Sequence, residues 1–381
     1  MANETLTEAK RAKNDEFYTQ YADIEKEMNA YLEYDPDVFR NKTILLPCDD
    51  PEWSNFTKYF AQNFQRFGLK KLISTSYALE SKHYQEGYQW SLLEMNDAKY
   101  DPDKTKSRGK IYTLTQDVSG DQREDVEDLE WEYLEGDGDF RSREVKQLRD
   151  EADVIITNPP FSLFREFLAW IVAPSTSFGD SFASLSQSNK GKKFAIIGNM
   201  NAITYKEVFP LIKEDRIWLG NGFNNGNAYF YSPSVKEYAD GVYNPETGLL
   251  KFRNVCWFSN LDHGRRHQPL ALMPMADNLK FSKHKEIQGK AGYDRYDNYD
   301  AIEVPFTDAI PSDYEGVMGV PISFLDKYSP EQFEIVSSND IRINNSVPFK
   351  EHGLIKDKDG TINGKPTYVR IVIKKRGKNN P

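Results

Sequence analysis

Asn158-Pro159-Pro160-Phe161 is the stretch of this chain whose residue types and spacing could do chemistry. The exocyclic amine of a base such as adenine is a poor nucleophile, because its lone pair is delocalised into the ring. Two acceptors taking its two hydrogens, the Asn158 side-chain oxygen and the Pro159 backbone carbonyl, would draw that nitrogen towards tetrahedral geometry and localise the pair. Neither has to be a strong base. A positively charged sulfonium methyl donor held in line would then react by direct displacement, so that positioning and electrostatics supply most of the catalysis. Pro159 and Pro160 stiffen the acceptors, and Phe161 offers a flat face for stacking the base. Because the amine is inaccessible inside a duplex, the target nucleotide must be flipped out.

Such residues need a frame, and the flanking sequence predicts one. Val154, Ile155 and Ile156 are β-branched and uninterrupted, as in a short strand buried on both faces of a parallel sheet. The prolines end that strand, and Leu163, Phe164, Phe167, Leu168 and Ile171 then recur at helical spacing. Asn158 is thereby expected at the carboxyl end of a strand, where open α/β sheets place ligands. Upstream, Thr43-Ile44-Leu45-Leu46 reads as a buried strand, followed by Pro47-Cys48-Asp49-Asp50-Pro51. Trp53, Phe56, Phe60, Phe64 and Phe67 then repeat with helical period up to Gly68, a natural C-terminal stop. Lys71 to Tyr77 is the expected second strand. Residues 80–130 read as a hairpin insertion, and the strand and helix pattern resumes at Trp131 to Leu134 and Ser142 to Glu151. Later strands are expected at Phe194 to Ile197, Arg216 to Leu219 and Asn254 to Leu261, with a helix at Tyr205 to Lys213.

The fold class expected is therefore α/β, a doubly wound, mostly parallel Rossmann-like sheet with helices on both faces. It should occupy residues 1–260, opening with a polar helical segment at 1–40. Residues 261–381, rich in Asp, Tyr, Pro and Lys, read as a separate irregular unit. Pro174 to Gly191, rich in Ser, Gly and Phe, should be a mobile loop near the site.

A chain of 381 residues with 39% hydrophobic and 13% aromatic side chains can bury a full core. No stretch approaches the roughly 20 apolar residues that span a membrane, and the amino terminus is too polar for a secretion signal, so a cytoplasmic location is expected. Cys48 and Cys256 form neither a disulfide framework nor a zinc site, and read as small hydrophobes. His263 and His267 flank Gly264-Arg265-Arg266 with no third ligand, which fits a basic loop touching phosphate better than a metal. The net charge of -10 argues against polyanion binding by the whole surface and leaves local basic clusters as the candidates. These include Lys192 and Lys193, Arg265 and Arg266, and Lys283 and Lys285.

The motif and its satellites resemble the amino-methylating DNA methyltransferases that use S-adenosylmethionine, and within them the EcoRI-type adenine-specific enzymes. Asn158 to Phe161 is similar to their catalytic motif; Lys13 to Gln20 (KNDEFYTQ) to their amino-terminal cofactor motif; and Leu46 to Phe56 (LPCDDPEWSNF) to their first-strand turn. Gly136 to Phe140 resembles the segment that reads the cofactor adenine, and Gly319 to Leu325 and Glu331 to Ile335 also look like the subfamily. The similarity spans about residues 13–335.

The resemblance implies that Asn158, Pro159, Pro160 and Phe161 form the catalytic motif. It implies that Phe17, Tyr18 and Thr19 pack along S-adenosylmethionine, while the turn Cys48-Asp49-Asp50 meets its methionine or ribose portion. Asp139 would accept from the cofactor's adenine amine with Phe140 against the ring, Asp137 being the less favoured acid of the pair. Target recognition is placed in 261–381, with double-stranded DNA as substrate and a cognate restriction endonuclease as a possible partner. Readings of the same fold acting on a glutamine amide or an RNA base, or binding DNA without turnover, stand beside it. Two features depart from the pattern. No Gly-x-Gly turn follows Leu46, and the strand at Leu72 lacks an acidic residue to hold ribose hydroxyls. Asp49 and Asp50 would alternatively cap the following helix, and Asp137 and Asp139 would alternatively shape a turn.

Overall fold

The computed structural model describes residues 17–47, 49–51, 53–78, 97–115, 128–173, 192–223, 227–232, 241–340 and 360–377. Cys48, Lys13 to Glu16, Tyr88 to Met95 and the expected loop at 174–191 lie outside the described residues. The chain divides into two units, one of residues 1–200 and 220–261, the other of 201–219 and 262–381. The segment 201–219, placed by its sequence pattern in the sheet-bearing unit, thus groups with the carboxyl-terminal residues.

In the first unit the strands are β1 (Tyr18–Thr19), β2 (Thr43–Leu46), β3 (Lys71–Ser76), β4 (Lys110–Leu114), β5 (Glu130–Tyr133), β6 (Val154–Thr157) and β7 (Lys193–Asn199). After β8 (Trp218–Leu219), which belongs to the second unit, come β9 (Asn227–Tyr231), β10 (Tyr243–Asn244), β11 (Leu249–Arg253) and β12 (Val255–Ser259). The main sheet of this unit runs β5-β4-β3-β2-β6-β7-β12. Its centre, β3-β2-β6-β7, is parallel, whereas β4, β5 and β12 run antiparallel to their neighbours. The sheet is therefore mixed, and Trp131 to Tyr133 forms an antiparallel edge rather than a further parallel strand. The expected insertion includes β4 and the short helix Pro102–Ser107, whose Asp101 cap accepts from the Asp103 and Lys104 amides.

Alternation along the central strands sends side chains to two layers. Ile44, Leu46, Val154, Ile156, Ala195 and Ile197 join a core that also contains Ile24, Met28 and Tyr31 of α1 (Tyr21–Tyr34) and Phe56, Tyr59 and Phe60 of α2 (Asn55–Gln62). Burying each of these larger side chains contributes roughly 1.5–3 kcal/mol. The opposite layer includes α3 (Arg143–Glu151) and α4 (Phe164–Val172), with Phe164 packed on Phe258 of β12 and Phe167 on Phe140. Helix α2 starts at Ser54, whose hydroxyl accepts from the Phe56 amide, so Ser54 and neither Asp49 nor Asp50 is the cap. Gly68, at φ 60°, ends the helical segment Phe64–Phe67 as its sequence position predicts.

A second sheet of the first unit, β1-β9-β11-β10, has no counterpart in the sequence reading. Strand β1 pairs with β9 in the register Tyr18 to Tyr231 and Thr19 to Phe230. Within the segment 1–40 expected to be helical, the described helix is Tyr21–Tyr34, and residues 17–19 are an extended stretch that takes up this sheet's edge.

The second unit is not irregular. Strands β13 (Ala301–Glu303), β14 (Val317–Pro321), β15 (Phe333–Ser338) and β18 (Arg370–Lys375) form a four-stranded sheet in the order β13-β14-β18-β15, and β16 (Thr361–Ile362) pairs with β17 (Lys365–Pro366). Short strands and many turn residues hid it. The expected helix at 205–213 is reduced to Phe209–Lys213.

Candidate active site

Strand β2 has β3 on one side and β6 on the other, so the chain order reverses beside it. This switch point is where open α/β sheets bind ligands, just beyond the carboxyl ends of the strands. A cavity opens there, lined by Phe17, Tyr18, Thr19, Asp49, Ser54, Phe56, Tyr77, Asn158 and Pro160. Tyr77 directly follows β3, Asp49 lies in the turn after β2, and Asn158 directly follows β6.

Asn158 is held by the residue that precedes β1. Its Nδ2 donates to the Phe17 carbonyl at 2.5 Å, and since a carbonyl can only accept, this bond fixes which end of the amide faces the cavity. Its Oδ1 is buried with no hydrogen-bond partner. A buried acceptor left unsatisfied costs about 1–3 kcal/mol, so this oxygen has capacity for a donor. Thr19 Oγ1, in the same lining, is also buried and unsatisfied. Asn55 Nδ2 donates to the Thr19 carbonyl at 2.7 Å, pinning β1 to the start of α2.

The turn after β2 is built around Asp49, which is 5% exposed. Its Oδ1 accepts from Ser54 Oγ at 2.7 Å and its Oδ2 from Thr157 Oγ1 at 2.5 Å. The Asp49 carbonyl accepts from the Ser74 and Thr57 hydroxyls. Asp50 is equally buried, and its carbonyl receives the Trp53 and Ser54 amides. Hydroxyls thus hold this glycine-free turn in place.

Other residues expected at the site sit further back. The Phe161 ring packs 6.0 Å from Phe17 and stands edge-on to Phe230 and Phe252, in an aromatic cluster beside the cavity. Phe140 is fully buried against Phe167 and Trp170. Asp139 forms a two-pronged pair with Arg141 (2.9 and 2.6 Å), which raises the guanidinium pKa further against the opposing effect of burial. Asp137 Oδ1 accepts from the Asp139 amide at 3.1 Å, the turn alternative for this pair. Gly138, at φ +87°, lets this turn approach β3 so closely that an added Cβ would lie 2.3 Å from the Ser76 carbonyl.

Several cations expected at phosphate are engaged within their own unit. Lys192 Nζ donates to the Asp150 and Ala152 carbonyls at 2.6 and 2.7 Å, capping α3, and burial lowers its pKa. Lys193 Nζ donates to the Asn260 carbonyl. Arg266, 7% exposed, lies over the Trp218 ring at 4.0 Å and pairs with Asp215 and Asp262, and Arg265 pairs with Asp326. Lys283 pairs with Asp308 but keeps 75% of its side chain exposed, and Lys285 is exposed. His263 is buried with Nε2 at 3.0 Å from the Leu219 carbonyl, and burial lowers its pKa. Among the described residues no group of His, Cys, Asp or Glu is arranged to hold a metal, and Cys256 is buried in β12.

Sequence reasoning missed Thr157, Ser54, Tyr77 and the β9 and β11 aromatics. Thr157 carried a signal, as the only polar residue in the strand Val-Ile-Ile-Thr. Phe230 and Phe252 carried none, because the place of Phe230 depends on the pairing of β9 with β1, some 200 residues away, and that of Phe252 on the pairing of β11 with β9.

A mixed α/β sheet with an aromatic cavity at its switch point, one carboxylate in the wall and one oriented, unsatisfied amide oxygen defines a class: α/β proteins with a polar cavity at the strand ends. Within that class the chain belongs to the family described as adenine-specific methyltransferase EcoRI, which it matches over residues 5–376. It is 40% identical over 377 residues to the Type II methyltransferase M.EcoRI of Escherichia coli, covering 98% of this chain and 97% of that protein. To the Type II methyltransferase M.MpnI of Mycoplasma pneumoniae it is 30% identical over 379 residues, 97% of each chain. No solved structure matches the chain.

Proposed function

We propose that this protein is a Rossmann-like DNA methyltransferase that transfers a methyl group from S-adenosylmethionine to the 6-amino group of a flipped adenine, in a restriction and modification role. The observation that carries the reading is the buried, unsatisfied Oδ1 of Asn158, oriented by the Phe17 carbonyl. Family membership and the Type II methyltransferase relatives support it.

The lining residues suit the donor. Phe17, Tyr18 and Tyr77 offer ring faces for a flat base, Thr19 Oγ1 lacks a partner, and Asp49 supplies negative charge towards a cationic group. When bound, S-adenosylmethionine supplies an electrophilic methyl group. Asn158 Oδ1 accepts one hydrogen of the target amine. While the Pro160 carbonyl receives the Leu163 amide at 2.9 Å, the Pro159 carbonyl is the second acceptor of the motif. Together they localise the nitrogen lone pair, and the amine proton leaves to solvent after transfer. Arg141 holds Asp139 in the turn whose Gly138 approaches Ser76 and Tyr77. Lys283 and Lys285 are exposed cations of the second unit suited to phosphate.

Mapping modified bases in DNA from a host that expresses the protein tests the reading. N6-methyladenine within one short sequence context is the expected result. Unmodified DNA together with labelled RNA or a labelled protein glutamine would replace it.

A further inference from the structure

Thr157 does not line the cavity, yet its hydroxyl bridges the two halves of the site. It lies 2.5 Å from Asp49 Oδ2 and 2.9 Å from the Pro47 carbonyl, and the residue is fully buried at the end of β6. One hydroxyl hydrogen faces two acceptors, so it holds both sides of the turn after β2 against the residue preceding Asn158. Asp49 carries the connection onward to Ser54 at the start of α2. A central strand buried on both faces has no packing need for a hydroxyl at this position. Valine would fill the same space but leave Asp49 Oδ2 and the Pro47 carbonyl one donor short.

We propose that Thr157 is a positioning residue that couples the turn facing the methyl donor to the orientation of Asn158, so that donor binding and amine binding strengthen each other. This rests on the proposed function. When the turn settles around a bound donor, the Asp49 carboxylate fixes the Thr157 hydroxyl. That in turn fixes the backbone from which Asn158 projects. Such a coupling is reciprocal: the factor by which donor raises DNA affinity equals the factor by which DNA raises donor affinity.

The test uses full-length protein, a duplex oligonucleotide containing the target adenine, and S-adenosylhomocysteine as an unreactive donor mimic. Dissociation constants for the duplex are measured with and without the mimic for wild type, Thr157→Val, Thr157→Ala and Thr157→Ser, alongside kcat. In the valine and alanine variants the affinity gain from the mimic should shrink by roughly 5-fold or more, with kcat falling in step, while serine restores both. Undiminished coupling in Thr157→Val, or in Thr157→Ala if the valine variant does not fold, overturns the proposal. So does a lowered melting temperature with coupling and kcat intact, the signature of a purely structural hydroxyl. If wild type itself transfers no methyl group to DNA, the proposed function fails instead. If wild type is active and both variants match it, only the coupling fails.

Discussion

The bond between Asn158 Nδ2 and the Phe17 carbonyl makes amide and acid non-equivalent at position 158. In Asn158→Asp an ionised carboxylate would face that carbonyl, acceptor against acceptor, whereas the neutral acid could donate to it and keep its other oxygen for the amine. With an ordinary Asp pKa of about 3.9, raised here by the facing carbonyl, the active form is scarce at neutral pH. Methyl transfer by this variant should therefore rise as pH falls from about 8 to about 6, with no matching rise in wild type. A flat profile at the wild-type rate would contradict the assigned orientation. His267 offers a second residue-scale test. Its ring lies 2.6 Å from Glu331 and 2.9 Å from Asp262, and although burial opposes protonation, these hydrogen bonds raise its pKa above 6.5. A raised folded pKa means stability that is complete below about 6.5 and lost as pH rises through the folded value. The melting-temperature difference between wild type and His267→Gln should accordingly be largest near pH 6 and shrink towards pH 8. A difference that grows with pH would show that the pair does not hold a charged imidazole.

At the scale of elements, close approaches of turns to strands shape the cavity. Gly138 combines positive φ with a contact no side chain fits, 2.3 Å from the Ser76 carbonyl, next to Tyr77 in the cavity wall. Gly138→Ala should destabilise the protein by about 1–3 kcal/mol and weaken donor binding, as read by thermal unfolding and calorimetry. Unchanged values for both would mean that the turn is free to shift. The α1 segment shows the same logic with a buried acid. Glu27 accepts from the Asn221 and Gly222 amides, both at 2.9 Å, and from the Tyr31 hydroxyl at 2.6 Å, which fixes the chain entering β9. Burial raises its pKa against these bonds. Elements of this kind were legible where periodicity was local. The parallel strands β2, β3, β6 and β7 and the helix stop at Gly68 follow from apolar runs and turn residues. The antiparallel direction of β4, β5 and β12 does not, because strand direction is set by partners distant in the chain.

Across the whole molecule, the sequence exposed the candidate motif but not the bond that orients it. Asn158 stood out by its neighbours; the Phe17 carbonyl could not, since any residue type supplies one. Basic clusters gave the weakest guidance. Lys192, Lys193, Arg265 and Arg266 all stand in runs that resemble a polyanion surface, yet the fold turns each towards a carbonyl or carboxylate within its own unit. With a net charge of -10, where exposed cations are placed matters more than how many there are. The central claim is that Asn158 Oδ1 receives the target amine while the donor is held by other residues. Single-turnover transfer of labelled methyl from S-adenosylmethionine to duplex DNA, paired with calorimetric donor binding, tests it directly on Asn158→Ala. Transfer should fall by roughly 10²–10³-fold with donor binding retained. Transfer at the wild-type rate would contradict the account.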